Sequence, residues 1–318
     1  MRVGLLGAGT MGRVHALAWR QVPGVELLGV AGAAPAAAAE FGHDVGVPTF
    51  RDLADLVAAG VQVVDVCLPT DLHAEAALAA MASGCDVICE KPLTRTLAEA
   101  QTLLGAAAAN GRQLYCGQVL RFFPAYRRIH SILATGELGR VGVVRTTRAG
   151  GPPRGHRDWY ADVGRSGGVT VDLLIHDLDF LGWAVGPVRT VQTLAVNDQR
   201  GTPMLVQVLA TLADGTLCHL EASWAHHEPF FMNVEVAAEN GLIQWDSRAA
   251  APLGGSVGGA LGITPYQEEL AHFAACWRGE AEPQVTAAAA AQALAAAAAA
   301  ETSARTGRAE TVPEVRAC

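Results

Sequence analysis

Residues 3–12 read VGLLGAGTMG, and this stretch decides the fold. An apolar run typical of a strand leads into glycines with the spacing G-x-G-x-x-G, directly ahead of a predicted helix. In this spacing the first glycine permits a tight turn, the second lets the backbone approach a pyrophosphate, and the third lets helix and strand pack closely. The amino end of the helix can then hold the phosphates. Although an ordinary βα turn can share the spacing, we predict a dinucleotide site formed by Gly7, Ala8, Gly9, Thr10, Met11 and Gly12.

Short apolar strands alternate with alanine-rich helical stretches through the first 120 residues. The predicted strands are 3–6, 25–31, 63–68, 86–89 and 113–118. This alternation indicates a parallel sheet with helices on both faces, in which ligands bind at the carboxyl ends of the strands. Polar or glycine-rich segments follow three of the strands, at residues 7–12, 69–73 and 90–92. We therefore expect the chemistry of this part of the chain at that edge.

Beyond about Arg121 the sequence changes to longer strands in which apolar and polar residues alternate. Strands are predicted at 141–148, 190–197, 205–213, 216–224 and 232–238, and helices at 168–185, 266–277 and 286–305. The pairs Asp214-Gly215 and Asn240-Gly241 are typical of tight turns between antiparallel strands. The sequence thus predicts an α/β fold with two domains, 1–120 and 121–318, of which the second is α+β with a mainly antiparallel sheet.

The composition excludes several classes of protein. Apolar residues make up 51% of the 318 and charged residues 17%, as in a globular enzyme, and the net charge of -8 disfavours nucleic acid as a partner. The alanine-rich run at 286–300 is too weakly hydrophobic to span a membrane, and the N-terminus lacks the pattern of a secretory signal. Seven scattered cysteines fit free thiols and show no zinc pattern, so we expect a cytoplasmic protein with no metal.

The end of the second predicted strand departs from the dinucleotide fingerprint. An Asp or Glu is expected there to bind the ribose hydroxyls of NAD, but Gly32 occupies the position, and residues 33–36 supply neither a carboxylate nor a basic side chain. Without the acid a 2'-phosphate is not repelled, and Arg13 in the first helical turn could lie nearby. The sequence therefore leaves NAD and NADP open as cofactors.

A charged pair followed by proline, Glu90-Lys91-Pro92, ends the fourth predicted strand. At the carboxyl edge of the sheet these polar groups would face the nicotinamide end of a bound cofactor. A lysine there can hold a substrate hydroxyl or share its proton. Taken alone, the tripeptide is also typical of a surface turn.

A polar stripe is predicted on the helix that follows Gly167 and Gly168. Asp172, His176 and Asp179 stand at i, i+4 and i+7, on one face of a helix whose other residues are largely apolar. Buried polar groups need partners or a wet cavity, so the stripe indicates a site. The alternative is a core histidine satisfied by a carboxylate.

Taken together, these motifs resemble the Gfo/Idh/MocA family, which includes glucose-fructose oxidoreductase and inositol dehydrogenase. The resemblance covers nearly the whole chain and extends to Arg121-Phe122 with Pro124, Gly136-Glu137-Leu138-Gly139 and Glu221-Ala222-Ser223-Trp224. It implies a doubly wound Rossmann domain for dinucleotide binding at 1–120. For 121–318 it implies an open, mainly antiparallel sheet that serves substrate binding and oligomerisation, in a homodimer or homotetramer.

The resemblance also implies roles for the candidate residues. Lys91, Asp172 and His176 would form the catalytic group, with a cis peptide bond at Lys91-Pro92. Beside the glycine loop, the cofactor would be bound by Leu68, Pro69, Thr70, His73, Glu90 and Lys91. The substrate would meet Lys91, Arg121, Trp159, Asp172 and His176. The polar and aromatic segment around Trp159 suits a sugar ring, although a solvated loop with one aromatic anchor has the same composition.

We accordingly expect an NAD(P)-dependent oxidoreductase that transfers hydride between nicotinamide and a secondary alcohol or ketone of a sugar or a cyclic polyol such as inositol. His176 would accept the hydroxyl proton as general base while Lys91 stabilises the oxygen, or these two roles would be exchanged. Asp172 would orient His176 or bind an adjacent hydroxyl. Two alternatives remain open: a non-catalytic dinucleotide-binding sensor or scaffold, and a reductase of another carbonyl or of a tetrapyrrole.

Overall fold

The chain folds into two compact units. The computed structural model describes residues 1–32, 35–227, 229–249 and 263–315. The first unit consists of Met1–Phe122 with Ile263–Ala290, and the second of the described residues of Phe123–Gly262 with Ala291–Val315. This division differs from the expected domains, 1–120 and 121–318, in the segment Ile263–Ala290.

The first unit is built on a parallel sheet. In chain order its elements are β1 (Arg2–Leu6), α1 (Thr10–Trp19), β2 (Glu26–Ala31), α2 (Pro35–Val45), α3 (Leu53–Ala58), β3 (Val63–Val66), α4 (His73–Ala82), β4 (Asp86–Glu90), α5 (Leu97–Asn110) and β5 (Leu114–Gly117). The strands pair in the order β2-β1-β3-β4-β5, all parallel, and a single parallel bridge joins Val30 of β2 to Thr49. With that bridge counted as a strand, the order is the doubly wound one of dinucleotide-binding folds, and β1 ends at the switch point where ligands bind. The predicted doubly wound sheet is confirmed.

Local sequence accounts for these elements. All four residues of β3 and the last four of β1 are buried, as expected for strands covered by helices on both faces. Helix α5 begins with a capping box between Thr96 and Glu99 and ends at Gly111, whose φ of 60° is easily reached without a Cβ. The core of the first unit therefore lies on both faces of the parallel sheet.

The second sheet has seven strands. The remaining elements of the chain are α6 (Pro124–Ala134), β6 (Val141–Ala149), α7 (Val163–Ser166), α8 (Ile175–Ala184), β7 (Val188–Asn197), β8 (Pro203–Leu212), β9 (Leu217–Ser223), β10 (Phe231–Ala238), β11 (Gly241–Asp246), α9 (Thr264–Trp277), α10 (Ala287–Thr306) and β12 (Glu310–Thr311). The strand order is β11-β10-β6-β9-β8-β7-β12, and all pairs are antiparallel except β6 with β9. The predicted mainly antiparallel sheet is confirmed.

Helix α9 packs with the first unit through its aromatic residues. The ring of Phe273 stacks on Tyr115 of β5 with centroids 5.2 Å apart, and Phe273 is fully buried. The indole N–H of Trp277 donates to a carboxylate oxygen of Asp86 in β4 at 2.9 Å. These contacts join residues far apart in sequence, which is why strand and helix patterns alone grouped α9 with the later sheet.

The alanine-rich run predicted as a helix forms α10, which has 20 residues. Several of its small side chains are fully buried, including Ala290 and Ala297 around Leu294. In the part of the chain that the structure describes, no helix is both long and apolar enough to cross a membrane.

A buried ion pair fixes α8 to the second sheet. The guanidinium of Arg148 in β6 donates from Nε and Nη2 to the two carboxylate oxygens of Asp177 in α8, at 3.0 and 3.2 Å. Nη2 of Arg148 also donates to the hydroxyl of Tyr126, at 3.2 Å. Both charged side chains are at most 3% exposed. Removing one partner would strand the other charge in the core, which is costly.

We expect Arg148→Met to lower the free energy of unfolding by about 3–5 kcal/mol, because it leaves the Asp177 carboxylate buried without its counter-charge. The matched control is Arg145→Met on the same strand, whose ion pair with Glu235 is exposed and whose loss should cost at most about 1 kcal/mol. Urea unfolding of the full chain, monitored by hydrogen exchange at β6, measures the free energy of unfolding of both variants. Equal effects of the two substitutions would contradict this account of the second unit.

Candidate active site

The glycine loop after β1 is closed by two contacts that only glycine permits. A Cβ on Gly12 would lie 2.0 Å from the carbonyl oxygen of Gly7, and a Cβ on Gly7 would lie 2.3 Å from that of Cys67. Gly7 also has a φ of 109°. Gly9 differs, because a Cβ there would meet nothing within 4 Å and the residue is exposed. The loop is therefore tight against the protein on one side and open at Gly9.

The amino end of α1 suits an anionic ligand. Helix α1 begins at Thr10, and neither a side-chain cap at Gly9 nor an acidic residue in the first turn occupies its N–H groups in the described structure. The side chains of Ala8 and Met11 pack against the apolar core beneath, so they leave the main chain to face outward. Exposed N–H groups at a helix start, with the positive end of the helix dipole, fit a pyrophosphate. The six residues predicted from the glycine spacing thus fit a dinucleotide.

The end of β2 carries no charge for a ribose. Gly32 is exposed with a φ of 76°, and a Cβ there would lie no closer than 3.7 Å to Leu68; residues 33 and 34 lie outside the described residues. Arg13, considered as a partner for a 2'-phosphate, is paired with Asp44 at 2.9 Å and lies 5.6 Å from the ring centre of Phe41. Hydrogen bonds from Arg13 and His43 lower the pKa of Asp44.

The segment after β3 is braced by His73. Its Nδ1 lies 2.8 Å from the carbonyl oxygen of Pro92 and its Nε2 2.8 Å from that of Leu68, and the ring is 1% exposed. Burial lowers the pKa of His73, although its contacts with the two carbonyl oxygens act to raise it. Predicted as a cofactor ligand, His73 instead has its ring turned to main-chain oxygens and joins the ends of β3 and β4. Its neighbours Pro69 and Thr70 lie at the same edge, with Thr70 buried.

Lys91 follows β4 directly. The Lys91-Pro92 peptide bond is cis, as the resemblance implied. The backbone N–H of Lys91 donates to Oε2 of Glu90 at 2.9 Å, and the Lys91 side chain is partly exposed whereas Glu90 is 5% exposed. The cofactor candidates of the first unit are thus gathered at the carboxyl edge of one parallel sheet.

Lys91 is also the only lysine in the chain, a signal that the motif analysis missed. Every other basic side chain among the 23 Lys and Arg residues is an arginine. A guanidinium does not give up its proton in proteins, whereas an ammonium group can. Lys91 therefore carries the only side-chain ammonium group of the chain.

A buried network behind Lys91 was not predicted. His15 of α1 lies between two carboxylates, with Nδ1 2.9 Å from Oδ2 of Asp65 and Nε2 2.9 Å from Oε1 of Glu90. The indole N–H of Trp19 donates to the same Asp65 oxygen at 2.7 Å. Burial raises the pKa of the Cys67 thiol beside them. The available signal was the lone carboxylate in the otherwise apolar strand Val63–Val66.

The second unit holds Asp172 and His176, in a different geometry from that predicted. Residues Val169–Leu173 form a π-helical turn, and α8 begins only at Ile175, so the stripe does not lie on one regular α-helical face. Asp172 is 8% exposed in the π turn, His176 is half-buried at the start of α8, and Asp179 is buried. A Cβ on Gly167, just before the turn, would meet Val171 at 2.4 Å, which makes this glycine a requirement of the turn.

The remaining substrate candidates have contrasting surroundings. The Arg121 guanidinium, in the first unit, is 6% exposed and donates to the carbonyl oxygen of Gln284. Trp159, in the second unit, is partly exposed and stacks on Tyr160 with centroids 3.9 Å apart. An aromatic pair of this kind offers a flat apolar face, whereas Arg121 is held by the main chain.

Comparison with known proteins covers both parts of the chain. A family model described as an oxidoreductase family with an NAD-binding Rossmann fold matches residues 1–118, and the Gfo/Idh/MocA C-terminal domain matches residues 126–244. The chain belongs to the Gfo/Idh/MocA family. The family expected from the ordered motifs is thereby confirmed.

Relatives of this Gfo/Idh/MocA protein include two dehydrogenases. UDP-N-acetylglucosamine 3-dehydrogenase of Acidithiobacillus ferrooxidans is 30% identical over 72% of this chain and 69% of its own length. Inositol 2-dehydrogenase of Rhizobium meliloti is 32% identical over 62% of this chain and 59% of its own length. The solved structure of GenD2 from gentamicin A biosynthesis, in complex with NAD, is 25% identical with a TM-score of 0.88 over 98% of this chain and 96% of that one. The chain is accordingly an NAD(P)-dependent oxidoreductase.

Gly9→Ala tests whether the open side of the glycine loop receives the nucleotide. Since a Cβ there meets no protein atom within 4 Å, stability should change by less than about 0.5 kcal/mol. A bound pyrophosphate would meet the methyl group, so NADH and NADPH should both bind at least about tenfold more weakly. The control is Gly105→Ala in α5, which also has open space around its Cβ and should leave affinity unchanged. If a fluorescence titration gives Gly9→Ala the same nucleotide affinity as the wild type, the open side of the glycine loop does not receive the pyrophosphate.

Gly32→Asp tests the cofactor preference at the end of β2. A carboxylate at this position would hydrogen-bond a free ribose and repel a 2'-phosphate, so the ratio of NADPH to NADH dissociation constants should rise at least about tenfold. The matched control is Gly24→Asp, which adds the same charge in the same unit at a φ of 74° and with similarly open surroundings. Competitive titrations give the ratio for each variant. A ratio that moves equally in both would contradict a ribose site at Gly32.

Proposed function

We propose that this oxidoreductase acts on a secondary alcohol or ketone of a sugar or cyclic polyol. The observation that carries the proposal is the single lysine of the chain, which follows β4 at the carboxyl edge of the parallel sheet, next to the segments proposed to bind the cofactor. The names of the relatives support the substrate class, since one acts on an inositol and another on a nucleotide sugar. The proposed domains are 1–120 for the dinucleotide and 121–318 for substrate and assembly.

The cofactor would be held by main-chain groups of residues 7–12 and by the segments that follow β3 and β4. When bound, NAD or NADP supplies the nicotinamide that accepts or returns a hydride. We assign contacts with it to the main chain at Leu68, Pro69 and Thr70 and to the side chains of Glu90 and Lys91. His73 contributes by bracing these segments through its two carbonyl contacts.

The proposed catalytic group is Lys91 with Asp172 and His176. His176 accepts the proton of the substrate hydroxyl, since an imidazole has a suitable pKa for a general base, and Lys91 hydrogen-bonds the same oxygen as negative charge develops. In the exchanged assignment Lys91 takes the proton. Asp172 orients His176 or binds a neighbouring hydroxyl. The assignment rests on the match of both motifs to the family.

Two further residues are proposed on the substrate side. Trp159 offers a partly exposed ring that can stack on the apolar face of a sugar, with Tyr160 behind it. Arg121, whose guanidinium donates to the carbonyl oxygen of Gln284, is proposed as the second residue on this side.

We also propose that the protein assembles as a homodimer or homotetramer through the exposed face of the seven-stranded sheet. Large apolar side chains stand on that face in neighbouring strands, with Leu194 71% and Val196 60% exposed on β7 and Leu209 43% exposed on β8. Burying such a patch against its copy would stabilise an assembly. Sedimentation of the purified protein measures the assembly state.

The proposed location is cytoplasmic. The six described cysteines are free thiols, which supports this location.

The function is tested by titrating the full chain with NADH and NADPH and then assaying inositols, aldoses and the corresponding ketoses in both directions. Turnover of a cyclic polyol or sugar with the preferred nucleotide supports the proposal. Binding of a nucleotide with no turnover in either direction favours the sensor or scaffold alternative. Turnover only of an unrelated carbonyl or a tetrapyrrole favours the second alternative, a reductase that acts on such substrates.

Substitution of the catalytic group should separate turnover from cofactor affinity. Lys91→Met and His176→Gln should each lower kcat by about a hundredfold or more, the usual contribution of a proton-transfer group. His176→Gln should leave nucleotide affinity within about twofold of the wild type, whereas Lys91→Met also removes a proposed cofactor contact and should weaken nucleotide binding by about tenfold at most. Lys91→Arg should fail to restore kcat, because a guanidinium keeps its proton. Arg51→Met, at an exposed ion pair of the first unit, serves as control. Undiminished turnover in both Lys91→Met and His176→Gln would contradict the assignment.

A further inference from the structure

The imidazole of His15 makes two hydrogen bonds that a neutral ring cannot supply together. Nδ1 lies 2.9 Å from Asp65 and Nε2 2.9 Å from Glu90, and the side chains of His15 and Asp65 are completely buried. A neutral imidazole carries one N–H, whereas each contact with a carboxylate needs one proton. An imidazolium supplies both protons and also neutralises one of the two buried charges.

The other partners of the carboxylates favour the same charge state. Asp65 accepts from the indole N–H of Trp19 and Glu90 from the backbone N–H of Lys91, so neither carboxylate needs a proton of its own for these contacts. Burial is the largest single influence on His15 and opposes its protonation, but the charges and hydrogen bonds of Asp65 and Cys67 together outweigh it, and the pKa of His15 lies well above its ordinary value of 6.5.

The network joins two functional segments of the first unit. His15 belongs to α1, whose amino end follows the glycine loop, and Glu90 immediately precedes Lys91. Oε1 of Glu90 is hydrogen-bonded to the imidazole of His15, and Oε2 accepts a hydrogen bond from the backbone N–H of Lys91. The position of the Lys91 main chain is thus tied, through one carboxylate, to the helix that starts at the dinucleotide site.

We propose that His15, as a buried imidazolium bridging Asp65 and Glu90, is a positioning residue that holds Lys91 in its reactive place. This inference rests on the proposed role of Lys91. The imidazolium holds the Glu90 carboxylate in one orientation, and that carboxylate holds the N–H of Lys91. A structural histidine with no link to the reaction would instead affect folding alone.

The proposal predicts a pH dependence with a defined sign. The groups that face His15 are Asp65 and Cys67 at β3, Glu90 at β4 and the ring of Tyr266 on α9, with Lys91 beyond Glu90. Because the folded pKa is raised, the contribution of the imidazolium is complete below about pH 6.5 and is lost as the pH rises through the folded pKa. We expect kcat to fall as the pH rises through the folded pKa of His15, because the neutral imidazole no longer holds the Glu90 carboxylate that positions Lys91.

His15→Gln is the main variant, since it keeps a hydrogen-bonding side chain and removes the charge. We expect kcat to fall about tenfold or more while nucleotide affinity stays within about twofold, because the glycine loop is untouched. The control is His43→Gln, which removes an imidazole that is 90% exposed beside Asp44 and should leave kcat unchanged. If His15 acts through Lys91, adding His15→Gln to Lys91→Met should lower kcat by less than about a further twofold.

Two magnetic resonance measurements on the full chain, without nucleotide, keep the proposal testable if His15→Gln fails to fold. With isotope-labelled histidine, the ring assigned to His15 by its proximity to the Trp19 indole should carry protons on both nitrogens at neutral pH. With isotope-labelled lysine there is a single side-chain signal, that of Lys91, and it should shift as His15 titrates.

The outcomes separate this proposal from the proposed function. A neutral His15 tautomer at neutral pH, or a Lys91 signal that ignores the titration of His15, overturns the positioning role. An equal loss from His15→Gln in the wild-type and Lys91→Met backgrounds also overturns it, since it would mean a structural effect. Full activity of Lys91→Met would instead overturn the proposed catalytic role of Lys91, while the resonance of His15 would still report its charge.

Discussion

The close approach of Gly7 and Gly12 is the constraint on which the first unit depends. A Cβ on Gly12 would lie 2.0 Å from the carbonyl oxygen of Gly7, and a Cβ on Gly7 would lie 2.3 Å from that of Cys67. Helix α1 can therefore begin at this place only with glycine at both ends of the loop. That start places His15 on the buried side of α1, between the carboxylates of β3 and β4. Lys91 follows one residue beyond Glu90. The glycine turn and the candidate catalytic lysine are therefore linked through one continuous set of buried contacts.

Both units place buried charged groups beside their candidate functional segments. In the first, His15 is held between Asp65 and Glu90; in the second, Arg148 holds Asp177, the residue next to His176. Buried ion pairs return little net stability, because desolvation offsets their attraction, but breaking one leaves a charge in the core. Such pairs define where an element sits. Here they fix the end of β4 and the start of α8, which carry Lys91 and His176.

Local patterns in the sequence were sufficient to predict the glycine loop and most strands of both sheets, but not β11 or β12. Alternation of apolar residues, tight-turn pairs and the glycine spacing all act within a few residues, and the strands formed close to the predicted positions. The contact between His15 and Glu90 joins residues 75 apart in sequence, and that between Arg148 and Asp177 joins residues 29 apart. No local pattern encodes such contacts. The π-helical turn at Asp172 was missed because residue spacing was interpreted as a regular α-helix.

The membership of α9 in the first unit has the same cause. Its helical pattern was recognisable, but its partners Tyr115 and Asp86 lie in strands far earlier in the chain. The uniqueness of Lys91, by contrast, was present in the composition and needed only a count. It singles out Lys91 as the one side chain among the Lys and Arg residues that can release a proton, at the carboxyl edge of the first sheet, which is where the proposed reaction needs one.

Hydride transfer between nicotinamide and a carbinol carbon can be followed atom by atom with a deuterium label. Purified full-length protein is mixed with NAD or NADP and with inositols and aldoses that carry deuterium on their carbinol carbons, and the reduced nucleotide is analysed by mass spectrometry. We expect reduced nucleotide that carries one deuterium atom with the wild-type protein, and no such product with Lys91→Met. Reduced nucleotide without deuterium, or none from any polyol or sugar, would contradict it.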